Sequence, residues 1–138
     1  MSETRFWLIR HAIVDENARA MLYGVMDVPL CETSLLEQTP MYRALAARLP
    51  RPAVWKVTPL SRTRRTAEAI FAAGYPHSEP QVEPDLIEQS LGEWQGLPHA
   101  ELPARLQAFF RRELSSRDYS LRADDLVWDS AIKYTSQG

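Results

Sequence analysis

Arg10 and His11 stand side by side where an apolar run, residues 6–9, comes to an end. Such a run is typical of a buried strand, and open α/β folds bind ligands at the carboxyl ends of their strands. His11 could act there as a nucleophile or a general base, and the Arg10 guanidinium could bind an anion. The alternative is a histidine that only makes a hydrogen bond at a strand end. For the dipeptide alone, that alternative is the more frequent case.

A second cluster of chemically useful residues lies where another apolar segment, residues 53–58, gives way to a helical pattern. Arg62 falls at the start of that helix. Oriented amide groups and a partial positive charge at a helix amino terminus favour an anion, and the arginine would add a bidentate fork. Arg64 and Arg65 lie further into the helix, and we expect them to face solvent.

Glu88 forms the third candidate, because it ends the short apolar piece Leu86-Ile87. At the end of a strand it could enter the same cleft and act as an acid. Taken alone, a surface carboxylate is the better interpretation of Glu88. The turn at residues 91–96, Leu-Gly-Glu-Trp-Gln-Gly, follows directly.

The elements that must position these residues alternate along the chain. Residues 5–10 and 53–58 predict strands, and an extended piece is expected near Val82. Residues 12–39 predict a long loop with short helical turns. Because strands alternate with helices, the sequence predicts an α/β fold with a mainly parallel sheet flanked by helices.

Three helices are predicted between and after the strands. The first begins at Thr39 and Pro40, with Met41, Leu45 and Leu49 on its apolar face. The second is capped by Ser61, runs through Ala67, Ile70 and Phe71, and ends at Gly74. The third runs from Pro98 to Leu114, with Leu102, Leu106, Phe109, Phe110 and Leu114 facing inward. In the tail, residues 126–128 and 131–134 predict either one short helix or two strand fragments.

Length and composition exclude several classes of protein. The 138 residues are enough for one domain, 1–138, with a core of its own. A net charge of −2 argues against a nucleic-acid-binding surface, and no segment is long and apolar enough to cross a membrane. We expect no leader peptide, because residues 1–5 lead directly into the first strand. The single cysteine, Cys31, cannot form an internal disulfide, which indicates a reducing, cytoplasmic location.

Together, these segments resemble the histidine phosphatase superfamily, which is phosphoglycerate mutase-like in fold. The resemblance covers about residues 6–97, and residues 107–138 remain unassigned. It is carried by short motifs in the family's order: Arg10-His11, Asn17, Gly24 with residues 27–30, Pro59-Leu60 with Arg62, Thr66-Ala67, and Leu86 with Glu88 and residues 92–96.

The resemblance implies a specific chemistry. His11 would attack a phosphomonoester and become a phosphohistidine, while Arg10 and Arg62 would bind the phosphoryl oxygens. Glu88 would protonate the leaving alcohol and then help to activate water, and Asn17 is similar to the family's phosphate-pocket asparagine. The resemblance implies no metal and no organic cofactor. The expected ligand is a small phosphorylated metabolite or inorganic phosphate, and hydrolysis is favoured over a mutase reaction.

The sequence also departs from the family's pattern. Ala12 replaces the usual glycine after the nucleophile, and Val14 replaces a hydroxyl residue. The family carries a second catalytic histidine on a later strand, whereas His77 and His99 match no family position. The fold is therefore expected to be incomplete at its C-terminal end, and we expect weak activity or none, because losing one donor to the phosphoryl group commonly costs on the order of a hundred- to a thousandfold in rate.

Two other interpretations stay open. One is a non-catalytic phosphate-binding or interaction protein that keeps the arginine pocket, and the other is a truncated product with no settled function. A missing strand beside residues 5–10 would leave an unpaired sheet edge, and such edges pair with other chains. Either residues 119–135 supply a substitute strand, a second chain pairs there in a homodimer, or the domain is incomplete.

Overall fold

The computed structural model describes residues 3–116, and the chain divides into two compact units, residues 1–100 and 101–138. The expectation of a single domain stays a prediction. The described elements, in chain order, are α1 (Glu16–Arg19), α2 (Glu32–Glu37), α3 (Thr39–Arg48), β1 (Lys56–Val57), α4 (Ser61–Ala72), β2 (Gln81–Val82), the 3-10 turns Pro84–Leu86, Gly92–Trp94 and His99–Glu101, and α5 (Leu102–Ser116).

The sheet of the first unit is small and parallel. Lys56 of β1 lies opposite Gln81 of β2, and Val57 lies opposite Val82. Helix α4 makes the crossover between the two strands, as parallel strands require. The parallel pairing and the extended piece at Val82 confirm the predicted α/β class, although β1 is shorter than the predicted strand 53–58.

The predicted first strand, residues 5–10, is wrong for the described structure. These residues are not in a strand, and Phe6 and Leu8 expose 85% and 95% of their surface. A strand exists only where a neighbouring backbone completes its hydrogen-bond ladder. No segment within residues 3–116 pairs with residues 5–10 as a strand, so an apolar run suited to two-sided burial stays exposed.

The core of the first unit forms where α3 packs against α4. Helix α3 begins at Thr39 with Pro40 in its first turn, as predicted, but its buried face is Tyr42, Ala46 and Leu49. Met41 is 53% exposed, which corrects the predicted apolar face. The tyrosine ring can be buried because its hydroxyl reaches Gln38 Oε1 at 3.3 Å.

Helix α4 has the predicted position but a different cap. Leu60 is the capping residue and makes no side-chain bond there, so Ser61 is not the cap. The Asp27 carboxylate instead accepts both the Ser61 amide, at 2.8 Å, and the Ser61 hydroxyl, at 2.7 Å. A carboxylate stabilises this helix end because it offsets the partial positive charge of the free amides. Gly74, at φ +122°, follows the helix as predicted.

Helix α5 begins after a 3-10 turn rather than at Pro98. Phe109 and Phe110 are 49% and 38% exposed, so the inward face predicted for them is wrong. Their rings contact each other at 5.7 Å between centroids. The side chain of Leu114 and the segments predicted at residues 126–128 and 131–134 lie outside the described residues.

One hydroxyl group ties the segment of His11 to α4. The Thr66 Oγ1 accepts the Ala12 amide at 2.9 Å and donates to the Arg62 carbonyl at 2.7 Å. Thr66 is buried, with 3% of its surface exposed. The bond crosses 54 residues of sequence and fixes the backbone next to His11.

Thr66→Val is expected to lower the free energy of unfolding by about 1–3 kcal/mol, because the buried Ala12 amide loses its acceptor. Urea unfolding followed by circular dichroism measures the change. Thr66→Ser is the matched control, since it keeps the hydroxyl and loses only a methyl group, worth about 0.8 kcal/mol. Equal losses in the two variants would contradict the assigned bond.

Candidate active site

An open cleft of about 740 Å³ lies within residues 1–100. Its lining includes Arg10, His11 and Glu88, three residues that the sequence predicts for the site. Arg62 is buried against the ring of Tyr23, which also lines the cleft. Three of the five predicted residues therefore line the cleft, and Arg62 lies behind the Tyr23 ring.

His11 is half-buried at the wall of the cleft, and its orientation is fixed by the neighbouring backbone. The Nδ1 atom lies 2.8 Å from the Ala12 carbonyl oxygen. A carbonyl only accepts hydrogen bonds, so Nδ1 carries the proton of this bond. The neutral ring then keeps its lone pair on Nε2, which is the atom that could attack phosphorus.

The surroundings favour this neutral form. Burial lowers the pKa of His11 below its usual 6.5, and the positive charges of Arg62 and Arg10 lower it further. The bond to Ala12 and the negative charge of Glu88 act in the opposite direction. The net shift of the pKa is downward, so the imidazole is unprotonated at neutral pH.

The Arg62 guanidinium donates hydrogen bonds to backbone carbonyl oxygens. One terminal nitrogen donates to the Met26 oxygen and the other to the Gly24 oxygen, each at 2.7 Å. The guanidinium carbon lies 5.1 Å from the centre of the Tyr23 ring. Only 1% of Arg62 is exposed, and its Nε has no partner among the described groups. The cation is therefore rigid before any ligand binds.

Gly24 sits where two distant motifs meet. Its φ of +43° favours glycine, and an added Cβ would lie 2.8 Å from Gln95 Oε1. The same oxygen accepts the Val25 amide at 3.0 Å. The turn at residues 92–96 thus braces the loop whose carbonyl holds Arg62, a role for Gln95 that sequence reasoning missed.

The remaining predicted residues are exposed. Arg10 and Glu88 lie at the cleft surface, and the Glu88 carboxylate accepts the Gln89 amide at 2.9 Å. Asn17 lies on α1 and is not part of the cleft lining. The catalytic and phosphate-binding roles assigned to these side chains stay predictions.

Two further cationic or proton-donating side chains, Arg19 and His99, line the same cleft. His99 matches no family position in the sequence, and it is exposed in the 3-10 turn before α5. The position of His99 in the cleft depends on backbone pairing between residues 20–22 and 96–99, for which the sequence carries no local signal.

The pattern that describes the histidine phosphatase superfamily (branch 1) matches residues 6–124. The chain belongs to the histidine phosphatase superfamily. A glucosyl-3-phosphoglycerate phosphatase of Mycolicibacterium vanbaalenii is 29% identical over 105 residues, which cover 75% of this chain and 44% of that protein.

Solved structures show the same fold. A mycobacterial glucosyl-3-phosphoglycerate phosphatase in complex with VO3 is 28% identical with a TM-score of 0.56, over 69% of this chain and 45% of that one. A protein of Thermus thermophilus is 29% identical with a TM-score of 0.51, over 75% of this chain and 55% of that one. The chain thus spans about half the length of these relatives.

The described residues contain no helix that is long and apolar enough to cross a membrane. Within residues 3–116, no group of three or more histidine, cysteine, aspartate or glutamate side chains comes together as a metal site. The cytoplasmic location, the homodimer and the phosphorylated ligand stay predictions.

The lowered pKa of His11 predicts that its ring protonates only below pH 6.5. In that window an unfolded chain binds more protons than the folded one, so stability falls as the pH drops from 6.5 through the folded-state pKa. A two-dimensional NMR titration of the His11 ring, with the urea-unfolded chain as reference, measures both pKa values. A folded-state pKa at or above the unfolded one would contradict the argument.

Proposed function

We propose that this superfamily member hydrolyses phosphomonoesters through a phosphohistidine at His11. The observation that supports this most directly is the orientation of His11: its Nδ1 is bound to Ala12, which leaves Nε2 available in a cleft lined by Arg10. The fixed Arg62 guanidinium adds positive charge close enough to lower the pKa of the same ring. A nucleophile surrounded by cations suits a phosphate dianion.

The proposed reaction has two steps. The Nε2 lone pair attacks phosphorus while the bond between phosphorus and the alcohol oxygen breaks, and that oxygen takes a proton from the Glu88 carboxylic acid. Water then attacks the phosphohistidine, Glu88 takes a proton from the water, and phosphate leaves His11. Arg10 and Arg62 offset the charge on the phosphoryl oxygens in both steps.

The relative's name directs the choice of substrate. A glucosyl-3-phosphoglycerate phosphatase removes phosphate from a small phosphorylated metabolite, and we propose the same broad class of substrate for this chain. Transfer to water is favoured over transfer to a second sugar acid, as in the expectation from sequence.

Intact-mass measurement after brief incubation with p-nitrophenyl phosphate tests the proposal. We expect a covalent phosphoryl adduct that is labile in acid and maps to His11, together with release of p-nitrophenol. Phosphate binding in calorimetry with neither an adduct nor release of p-nitrophenol would contradict hydrolysis and would support the non-catalytic phosphate-binding alternative. The second step is tested by following the decay of the adduct in water.

A further inference from the structure

We propose that Gln95 is a positioning residue for the candidate site, because it holds the peptide group to which Arg62 is bonded. The inference rests on the proposed function in taking the Arg62 cation to serve a phosphoryl group. It goes further in giving a part in ligand binding to a side chain outside the cleft lining. Gln95 acts on the ligand through the backbone rather than by contact.

The peptide group between Gly24 and Val25 is held from both ends. Its oxygen accepts a hydrogen bond from Arg62 Nη2 at 2.7 Å, and its N–H donates to Gln95 Oε1 at 3.0 Å. The oxygen and the N–H of a trans peptide group point in opposite directions. The peptide group therefore lies between the two side chains, and a shift of Gln95 moves the oxygen that holds Arg62.

This peptide group has no partner within its own turn. The Met26 amide donates to the Tyr23 oxygen at 2.7 Å, so Gly24 and Val25 are the two central residues of a four-residue turn. The hydrogen bond of such a turn uses the outer residues and leaves the central peptide group to find partners elsewhere. Those partners come from side chains that lie 38 and 70 residues away along the chain.

The Arg62 guanidinium depends on this turn for its direction. Its other terminal nitrogen donates to the Met26 oxygen at 2.7 Å, so both of its backbone partners belong to the turn that Gln95 holds. Hydrogen bonds in a chain polarise one another, so a peptide group that donates to Gln95 is a better acceptor for the guanidinium. Loss of the Gln95 oxygen should therefore loosen the cation before any ligand binds.

The turn also packs closely against the segment that carries Gln95. A Cβ added to Gly24 would lie 3.0 Å from Leu91 Cγ and 3.2 Å from the Gln89 oxygen, in addition to its close approach to Gln95. The hydrogen bond thus joins two surfaces that are already in contact. A substitution that keeps the length of the Gln95 side chain can remove the acceptor and leave this packing in place.

Gln95→Met makes that substitution. We expect the dissociation constant for inorganic phosphate, measured by calorimetry, to rise about fivefold, the usual effect of one lost hydrogen bond. By NMR, the Val25 amide should exchange faster, and the pKa of His11 should rise toward 6.5 because the Arg62 cation lowers it less. Arg10 and Glu88, the other charged groups that act on this ring, are unchanged in the variant. A loss of stability alone would not move the pKa of His11.

Two variants serve as controls. Gln95→Glu keeps an oxygen where the Val25 amide donates, so the amide should exchange as slowly as in the wild type. Gln81→Met makes the same chemical change at an exposed residue of β2 outside the cleft lining, and it should alter neither phosphate binding nor the pKa of His11. Equal effects of Gln95→Met and Gln81→Met, or a Gln95→Met chain that changes only in melting temperature, would overturn the positioning role.

None of these measurements uses turnover, so the positioning role and hydrolysis at His11 stand or fall separately. If Gln95→Met does not fold, hydrogen exchange of the wild-type chain decides the question. A Val25 amide that is protected from exchange supports the bond to Gln95, whereas one that exchanges as fast as in the urea-unfolded chain overturns it.

Discussion

His11→Ala is expected to abolish phosphoenzyme formation and to lower the rate of phosphomonoester hydrolysis by at least about a thousandfold. Alanine offers no lone pair to phosphorus, so the phosphoenzyme cannot form at this position. Intact mass with p-nitrophenyl phosphate gives the first readout, and release of p-nitrophenol gives the second.

His77→Ala is the matched control for this change. His77 lies in an exposed loop with its ring 5.4 Å from that of Phe71, and it does not line the cleft. Its loss should leave phosphoenzyme formation intact. A His11→Ala chain that still carried phosphate, at a rate similar to the His77→Ala chain, would remove His11 from the mechanism. Unchanged circular dichroism of both variants shows that the comparison concerns chemistry.

Arg62→Lys should weaken both the fold and the binding of phosphate. A lysine keeps the charge but is a single ammonium point, so it cannot bind the Gly24 and Met26 oxygens in the same fork geometry. Leaving buried polar groups unpaired should lower the free energy of unfolding by about 2–4 kcal/mol. For a domain of this size, that loss lowers the melting temperature by roughly 10 °C.

The effect on binding follows from the same change. We expect the dissociation constant for inorganic phosphate, measured by calorimetry well below the melting temperature, to rise at least about tenfold. Arg64→Lys is the control on the same helix, because Arg64 is partly exposed and pairs with Glu79 at the surface. If Arg62→Lys and Arg64→Lys had the same melting temperature and the same dissociation constant for phosphate, the bonds from Arg62 to the Gly24 and Met26 oxygens would have no role.

Local signals predicted the start of α3 and the end of α4. Pro40 and Gly74 mark the start of α3 and the end of α4, and each acts through its own backbone geometry. Such effects depend on a few neighbouring residues, so they can be read from the sequence. The cap of α4 could not be read in this way, because the Asp27 carboxylate that bonds Ser61 comes from a distant loop.

Features that depend on distant partners were predicted less well. Residues 5–10 have the composition of a buried strand, but strand formation needs a partner that residues 3–116 do not supply. The buried face of α3 is set by what α4 presents, which favoured Tyr42 over Met41. The apolar pattern limited which residues could pair or be buried, and packing against distant segments then decided which of them did so.

In the candidate site, too, local motifs indicated residue types, whereas contacts between distant segments could not be predicted. Short motifs indicated His11, Arg10, Arg62 and Glu88 because phosphoryl chemistry needs these residue types. They did not show that backbone carbonyls hold Arg62, since a carbonyl has no sequence signature. They did not place Arg19 and His99 in the cleft, because that depends on backbone pairing between residues 20–22 and 96–99, which lie far apart along the chain.

The ladder that joins residues 20–22 to 96–99 also fixes when the cleft can form during synthesis. On the ribosome, residues 20–22 emerge long before residues 96–99. Because their pairing closes a large loop, it must wait until Leu97 and His99 have left the exit tunnel. The nascent chain exposes Arg10 and His11 early but assembles their pocket late. The cleft at His11 can therefore form only after residues 96–99 have emerged.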